Sequence, residues 1–425
     1  SVYNYGYEDV FFNVGEQSVP NGIKFKVVTS RTVSGGGLPS TTWTYNYGTV
    51  SVGANQVTTV SQSGCSRVER LTFHSFGTIG AGNIWRVGSL LKKETLNGAT
   101  LVQQEDYVWN PSAAISNDGR STGPWGTAPT ITDTQIFMPL LGSRTITRDS
   151  RTYTTNYSAY DSFANPGTIS ETGNASRTTT STYYIDTTKN IVRGRPLSQQ
   201  VTVGPQSFTT AFTYDANGNL KTTNQYGVLT TFNYFANGNL QSRVNALNQP
   251  TSFTYQNGRV SGITNPVYGI SRVITTDGNI TSETNGRNFT TAFSYDNVNR
   301  VTQVTPPLGS ATVVVYNDGA RTRTVTRGPA STTFTFDGLG RVLSTSATGG
   351  ILTQTTYNAC GQRTYQSFPY TATNIGDAFA YDVLDRVTTI THPGASTINY
   401  NYANGNVAIT NERSITVTYN NSAFG

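Results

Sequence analysis

Ten copies of one short motif recur along the second half of the chain at a nearly constant interval, and no other feature restricts the fold so tightly. The motif is an aromatic residue, a short Asp/Asn stretch, a Gly or its substitute, and then an aliphatic residue. Its clearest copies are Tyr214-Asp215-Ala216-Asn217-Gly218-Asn219-Leu220 and Tyr234-Phe235-Ala236-Asn237-Gly238-Asn239-Leu240. Further copies open at Tyr255, Thr275 (degenerate), Tyr295, Tyr316, Phe336, Tyr357, Tyr381 and Tyr402. Aligned on Gly218, Gly238, Gly258, Gly278, Asn299, Gly319, Gly340, Gly361, Asp385 and Gly405, the steps are 20, 20, 20, 21, 20, 21, 21, 24 and 20. A fixed period of this length marks a repeat architecture in which each unit is one supersecondary element.

Each unit reads as a hairpin. Asn217-Gly218, Asn237-Gly238, Asn257-Gly258, Asp277-Gly278, Asp318-Gly319 and Asn404-Gly405 are dipeptides that reach positive φ at little cost, as tight hairpin turns require. About ten residues on from each comes a second group of breakers, among them Gly227, Pro250, Pro306 to Gly309, Gly349-Gly350 and Pro393-Gly394. A unit therefore holds two strands and two turns. Before the first turn the aromatics alternate (Phe212 with Tyr214, Phe253 with Tyr255, Phe379 with Tyr381), which places both rings on one face. Successive units are expected to stack these rings in ladders across the sheet. Asp215, Asp296, Asp337 and Asp382 are expected to cap turns through their side chains.

Residues 1–205 form a divergent strand-rich region and residues 206–425 the ten repeats. Upstream, Val27 to Tyr47 reads as strand, turn at Gly35-Gly36-Gly37, strand; Leu90 to Trp109 reads likewise around Asn97-Gly98. Ser112 to Thr132, rich in Gly, Pro and Ser, reads as a loop or linker. No convincing amphipathic helix appears. The fold class is all-β. Roughly twenty strands at about 4.8 Å each make a sheet on the order of 100 Å wide, and twisted open sheets rarely pass about ten strands without curling. A winding with many more than eight strands per turn leaves a lumen. The expected architecture is thus a set of tandem antiparallel hairpins wound into a hollow spiral shell or tube, whose two unfinished ends are templates for pairing.

Tyr-Asp-x-x-Gly-x-Leu/Val at steps of 20 to 21 resembles the YD repeat of RHS proteins, and is similar to the C component of insecticidal toxin complexes and to the teneurin shell. The resemblance is strong over 206–425 and one of style upstream. It implies a hollow β-cage, extracellular or at the cell surface, commonly around a cleaved C-terminal toxin. The Asp-Pro-x-Gly-type core segment of encapsulating members does not occur before Ser422-Ala423-Phe424-Gly425, which weakens the cargo reading. The sequence opens at Ser1 without Met, as expected of a processed product or a segment cut from a longer one.

The remaining composition narrows the function. A formal net charge of +6 rests on a chain only 12% charged, with Lys and Arg dispersed, so nucleic-acid binding is not expected. The one cluster, Arg321, Arg323 and Arg327, is expected on one face of a strand. There is no run of about 18 apolar residues, hence no helical membrane span. Cys65 and Cys360 make no disulfide framework, and their pairing stays open. With His74 and His392 as the only histidines there is no metal-ligand spacing, no cofactor motif and no carboxylate pair singled out for catalysis. The motif residues Tyr214, Asp215, Gly218, Tyr234, Gly238, Tyr255, Gly258, Tyr295, Asp296, Tyr316, Gly319, Phe336, Asp337, Gly340, Tyr357, Gly361, Tyr381, Asp382, Tyr402 and Gly405 are expected to be structural. The expected role is non-enzymatic: an extracellular shell that self-associates through its open sheet ends into a fibre or tube. The alternatives are a container wall around a toxin or other cargo, and an adhesion module that binds glycans.

Overall fold

The structure, a computed structural model, describes residues 2–12, 23–36, 38–48, 55–74, 84–112, 116–117, 135–173 and 175–420. Among these there is no α-helix, only two single-turn 3-10 segments, Ile84–Arg86 and Thr187–Lys189. Everything else of regular structure is strand. Thirty-three strands, from Val2–Phe12 to Thr416–Asn420, form one sheet in which each strand pairs antiparallel with the next in sequence. The sheet runs through residue 205, where Pro196–Val203 pairs with Gln206–Tyr214 across a hairpin turn. Most of the expected loop from Ser112 to Thr132 lies outside the described residues; at its edges Ser116–Asn117 pairs with Gln135–Ile136 as a separate two-stranded hairpin.

The sheet is a wall one layer thick. Among the described residues Val33, Leu96 and Ile274 are the only buried apolar side chains. The solvent-accessible area is 24455 Å², whereas a compact globule of 45.9 kDa exposes about 16,000 Å². A two-layer sandwich would have buried one face of each sheet; here both faces stay partly open.

Counting along the sheet explains why. The turn at 62–67 joins its fourth and fifth strands, Gln56–Gln62 and Arg67–Phe73, and the turn at 357–363 joins its twenty-seventh and twenty-eighth, Ile351–Tyr357 and Arg363–Ser367. These two turns are in covalent contact through a Cys65–Cys360 disulfide, with Cα atoms 5.6 Å apart. The same offset of twenty-three strands brings the turn at 35–38 to that at 336–342, where a Cβ on Gly36 would lie 2.7 Å from the Gly338 Cα. It also brings the turn at 148–151 to that at 403–406, where Asn404 N–H donates to the Asp149 carbonyl at 2.9 Å. One revolution therefore takes twenty-three strands. At about 4.8 Å per strand its circumference is about 110 Å and its mid-wall diameter about 35 Å, far too wide for side chains to fill.

Candidate functional site: the repeat latch and the seam

The aspartate turn is built from its backbone outward. Gly218 N–H donates to the Asp215 carbonyl (2.9 Å) and Asp215 N–H to that of Asn219 (2.8 Å), a type I turn closed by a residue in the left-handed region. Nine of the ten aligned positions take positive φ, with Asn299 (64°) and Asp385 (63°) standing in for Gly. The exception is Gly319, whose turn places Arg321 at φ 53° instead. Arg321 therefore leaves the strand face on which it was expected with Arg323 and Arg327, and donates Nε to the Phe336 carbonyl. Two-residue turns with both central φ positive, the form expected of every Asn-Gly, occur at Asn257-Gly258 and Asn404-Gly405. Elsewhere the longer loop forms, with Asp, Asn, Thr or even Phe235 at its first position.

Where an aspartate is present, its carboxylate adds further bonds to that loop. Asp215 accepts the N–H groups of Asn217 and Asn219, both at 2.8 Å, and Asn219 Nδ2 at 3.1 Å. In three repeats an arginine takes the Asn219 position, so that Arg300, Arg341 and Arg386 each donate Nε to Asp296, Asp337 and Asp382 at 2.7 Å. The same guanidinium then lies over the aromatic ring of the next repeat: Arg300 over Tyr316 (4.2 Å), Arg341 over Tyr357 (4.2 Å) and Arg386 over Tyr402 (4.1 Å). Backbone bonding from Arg300, against a smaller opposing effect of burial, holds Asp296 below the usual carboxylate range. At Asp337 burial opposes ionisation most strongly, yet the N–H donors of Arg341 and Leu339 together prevail and its carboxyl is also lowered.

The tyrosines do not form the ring ladder expected of them. Among the described residues of the repeats, the close ring pairs are Tyr184 with Tyr214, Phe208 with Tyr226, Phe235 with Tyr255 and Phe334 with Phe336, and none joins the motif tyrosines of successive units. What links the units is the hydroxyl. Eight of the ten repeat turns are followed by a bulge, as where Thr213 faces Thr222 but Tyr214 faces Leu220, and a bulge takes a carbonyl off the ladder. The tyrosine of the next unit donates to it: Tyr234 to Leu220 (2.9 Å), Tyr255 to Leu240 (2.9 Å), Tyr295 to Ile280 (2.8 Å), Tyr316 to Val301 (3.1 Å), Tyr357 to Val342 (3.3 Å) and Tyr402 to Val387 (2.9 Å). Tyr214 and Tyr381 do the same to Pro196 and Arg363. Phe336 has no hydroxyl to give. Upstream, Tyr47, Tyr160 and Tyr183 latch the carbonyls of Val28, Leu141 and Pro166, and Trp109 Nε1 latches Leu90. The divergent region thus carries the same device, and at Asp161, which accepts from Phe163 N–H, Asn165 N–H and Asn165 Nδ2, the aspartate turn with it.

The seam between revolutions is the second assembled feature. Around the disulfide, Gln62 Nε2 donates to the Ala359 carbonyl (2.6 Å), Arg67 pairs with Asp385 (2.8 Å) and Arg386 clamps Asp149 with both terminal nitrogens (2.6 and 3.1 Å). Arg386 consequently ties one repeat turn, the next tyrosine ring and the neighbouring revolution. Among the described residues no group of three or more His, Cys, Asp or Glu is placed to hold a metal ion. His392 bridges Asp377, at the start of the strand Gly376–Tyr381 (2.7 Å), and Glu412 in the turn before Thr416–Asn420 (3.1 Å), while the pKa of His74 is lowered first by burial and then by Arg86.

Residues 247–423 match the family model described as Teneurin YD-shell. The YD resemblance read in the sequence is borne out, and the hollow all-β fold with it. The crystal structure of TcdB2-TccC3 without hypervariable C-terminal region is similar at 8% identity and a TM-score of 0.66, over 96% of this chain and 35% of that one. The crystal structure of TcdB2-TccC3-TEV is similar at 8% identity and a TM-score of 0.69 over the same shares. Identities this low show the fold alone, and the chain spans about a third of the length of these two chains. The sequence matches no curated protein.

Proposed function

We propose that this chain is a non-catalytic wall segment of an extracellular YD shell, and that its work is to enclose a space. The observation that carries the reading is the seam: a ribbon that meets itself after twenty-three strands and is closed there by Cys65–Cys360 bounds a lumen. Allowing about 5 Å of side chain on each side of the wall, that lumen is roughly 25 Å across. The disulfide supports an oxidising, extracellular setting, because such bonds persist there and are rare in the cytosol. Side chains in the aspartate turns and bulges are engaged in holding the wall, which supports a structural role over an enzymatic one. Assembly end to end into a tube is the further step of this reading: Thr416–Asn420, exposed along its length, is where a following strand, of this chain or of another copy, would pair.

A container wall around a polypeptide cargo is the second reading, favoured by the similarity to longer shells of which this chain spans a part. Electron micrographs of the purified chain test the shell. End-on views are expected as rings of about 35 Å mid-wall diameter around an empty centre. Discs without a hole would overturn the proposal. Filaments favour the tube, and discrete particles with protected co-purifying polypeptide favour the container.

A further inference from the structure

The two faces of the wall carry different chemistry. The strand register places the motif aromatics such as Phe212, Tyr214 and Phe334 on one face. The other carries hydroxyl pairs, among them Thr213–Thr222, Thr324–Thr333 and Thr326–Ser331. The aromatic face is the concave one. Along Thr312–Asn317, Val313 and Val315 on the hydroxyl face are 40% and 59% exposed, while Val314 between them is half-buried. Pro250–Gln256 and Thr290–Tyr295 alternate in the same way. Around a ring of about 17 Å radius, side chains on the inside converge on their neighbours and those on the outside splay apart.

The concave face also carries unneutralised positive charge. From Arg31 onward its strand acids are Glu69, Glu105, Glu171, Glu283 and Asp377, and each is already bound to an Arg, Lys or His. Bases remain over. Arg31, Arg148, Arg323 and Arg363 have no carboxylate partner among the described residues. Their guanidiniums lie instead over rings, 4.2 Å from Trp43, 5.9 Å from Tyr153, 5.1 Å from Phe334 and 4.3 Å from Phe379. Arg148 and Arg151 stand directly opposite each other, where like charges repel. On the hydroxyl face, by contrast, Arg70 is paired with Glu94 and Lys92 lies across from Asp106, while Lys221 and Arg259 stand beside turns.

We infer that the concave face is a binding surface for an acidic polypeptide in extended form. A guanidinium stacked on a ring keeps its N–H edge free for a carboxylate fork, and the rings beside it accept apolar side chains. Size excludes a folded guest: a domain of about 100 residues, with a radius of gyration of about 13 Å, is about 33 Å across and does not fit a lumen of roughly 25 Å. Spacing favours carboxylates over phosphates. Arg323 and Arg363 lie four strands apart, about 19 Å along the wall. That suits scattered acidic side chains, whereas the phosphates of a nucleic acid follow one another every few ångströms. The inference rests on the container reading and deepens it by naming the chemistry of the cargo.

Fluorescence anisotropy of labelled peptides on the purified chain tests it, with images of the same samples. Poly-L-glutamate of about 20 residues is expected to bind, and more weakly as added salt shortens the screening length below about 10 Å. Poly-L-lysine of the same length is expected not to bind. The double variant Arg323→Gln, Arg363→Gln is expected to weaken poly-L-glutamate binding at least about tenfold, from roughly threefold or more for each guanidinium. Arg287→Gln with Arg413→Gln removes the same charge from rim turns to which each residue lends a backbone N–H, and is expected to bind as wild type does. Should the first variant form no rings, Arg148→Gln alone carries the test, with about a threefold loss expected. Rings that ignore poly-L-glutamate, that take poly-L-lysine equally, or that bind unchanged after loss of the lumenal arginines would overturn the acidic-cargo assignment while leaving the shell intact. Tighter binding of a thymidine oligonucleotide would overturn it in favour of a nucleic acid. Particles without a hole would overturn the shell itself.

Discussion

Replacing Cys65 and Cys360 by serine removes the one covalent tie between revolutions. The bond closes a sequence separation of 295 residues, for which loss of loop-closure entropy in the unfolded chain amounts to about 5 to 6 kcal/mol at most. Native disulfides deliver less, typically 2 to 5 kcal/mol, so about 3 to 5 kcal/mol is expected here. The exposed ion pair beside the disulfide compensates little. Arg67 and Asp385 are 38% and 54% exposed in their side chains, and such a pair contributes roughly 0 to 1 kcal/mol. Urea unfolding followed by tyrosine and tryptophan fluorescence is expected to show a lower midpoint for the double variant. Added salt is expected to lower it further, since the remaining seam depends on ion pairs screened within about 10 Å at moderate ionic strength. An unchanged midpoint, or free thiols detected by mass spectrometry in the folded, oxidised wild type, would refute the reasoning.

Tyr295→Phe keeps the ring but leaves the Ile280 carbonyl without its donor; a loss of about 1 kcal/mol is expected by denaturation, whereas Phe336→Tyr is expected to gain nothing because no equivalent latch awaits it. Asp337→Ala strands three donors at a side chain only 2% exposed, and about 2 to 4 kcal/mol of destabilisation is expected by the same assay. Because the folded carboxyl of Asp337 is lowered, its stabilisation is present above the unfolded value of about 3.9 and is lost as pH falls further; the variant is expected to lose less than wild type under acid unfolding. His392 is raised, first by its bond to Asp377 and then by Glu412, so its contribution is present below about pH 6.5 and is lost as pH rises through the folded value. His392→Gln is expected to flatten that slope, read as hydrogen exchange in the strands Val387–Thr391 and Asn406–Thr410.

The period of Gly218 to Gly405 made strands, turns and winding legible, because glycine spacing and two-residue alternation are local properties. Register along the sheet was legible for the same reason, each strand pairing with its chain neighbour. The tyrosine latch was not, since alternation says which face a ring occupies and nothing about where its hydroxyl ends. One signal was present and unread: Asp-x-x-x-Arg recurs at Asp296/Arg300, Asp337/Arg341 and Asp382/Arg386, a spacing that a plain turn-capping aspartate does not require. The seam lay beyond reach of local reasoning altogether. Cys65 pairs with Cys360 because of the number of strands per revolution, a quantity set by twist and curvature summed over the whole ribbon.

That number is odd, and it has to be for the tip of a hairpin on one level to face the tip of a hairpin on the next. A duplication or deletion of a repeat changes the tally by two. The ring can therefore widen or narrow by whole repeats without bringing like margins together, although every such change slides one level past the other and parts the cysteines. A lineage that keeps the bridge has fixed its girth; one that abandons it is free to vary the space it surrounds.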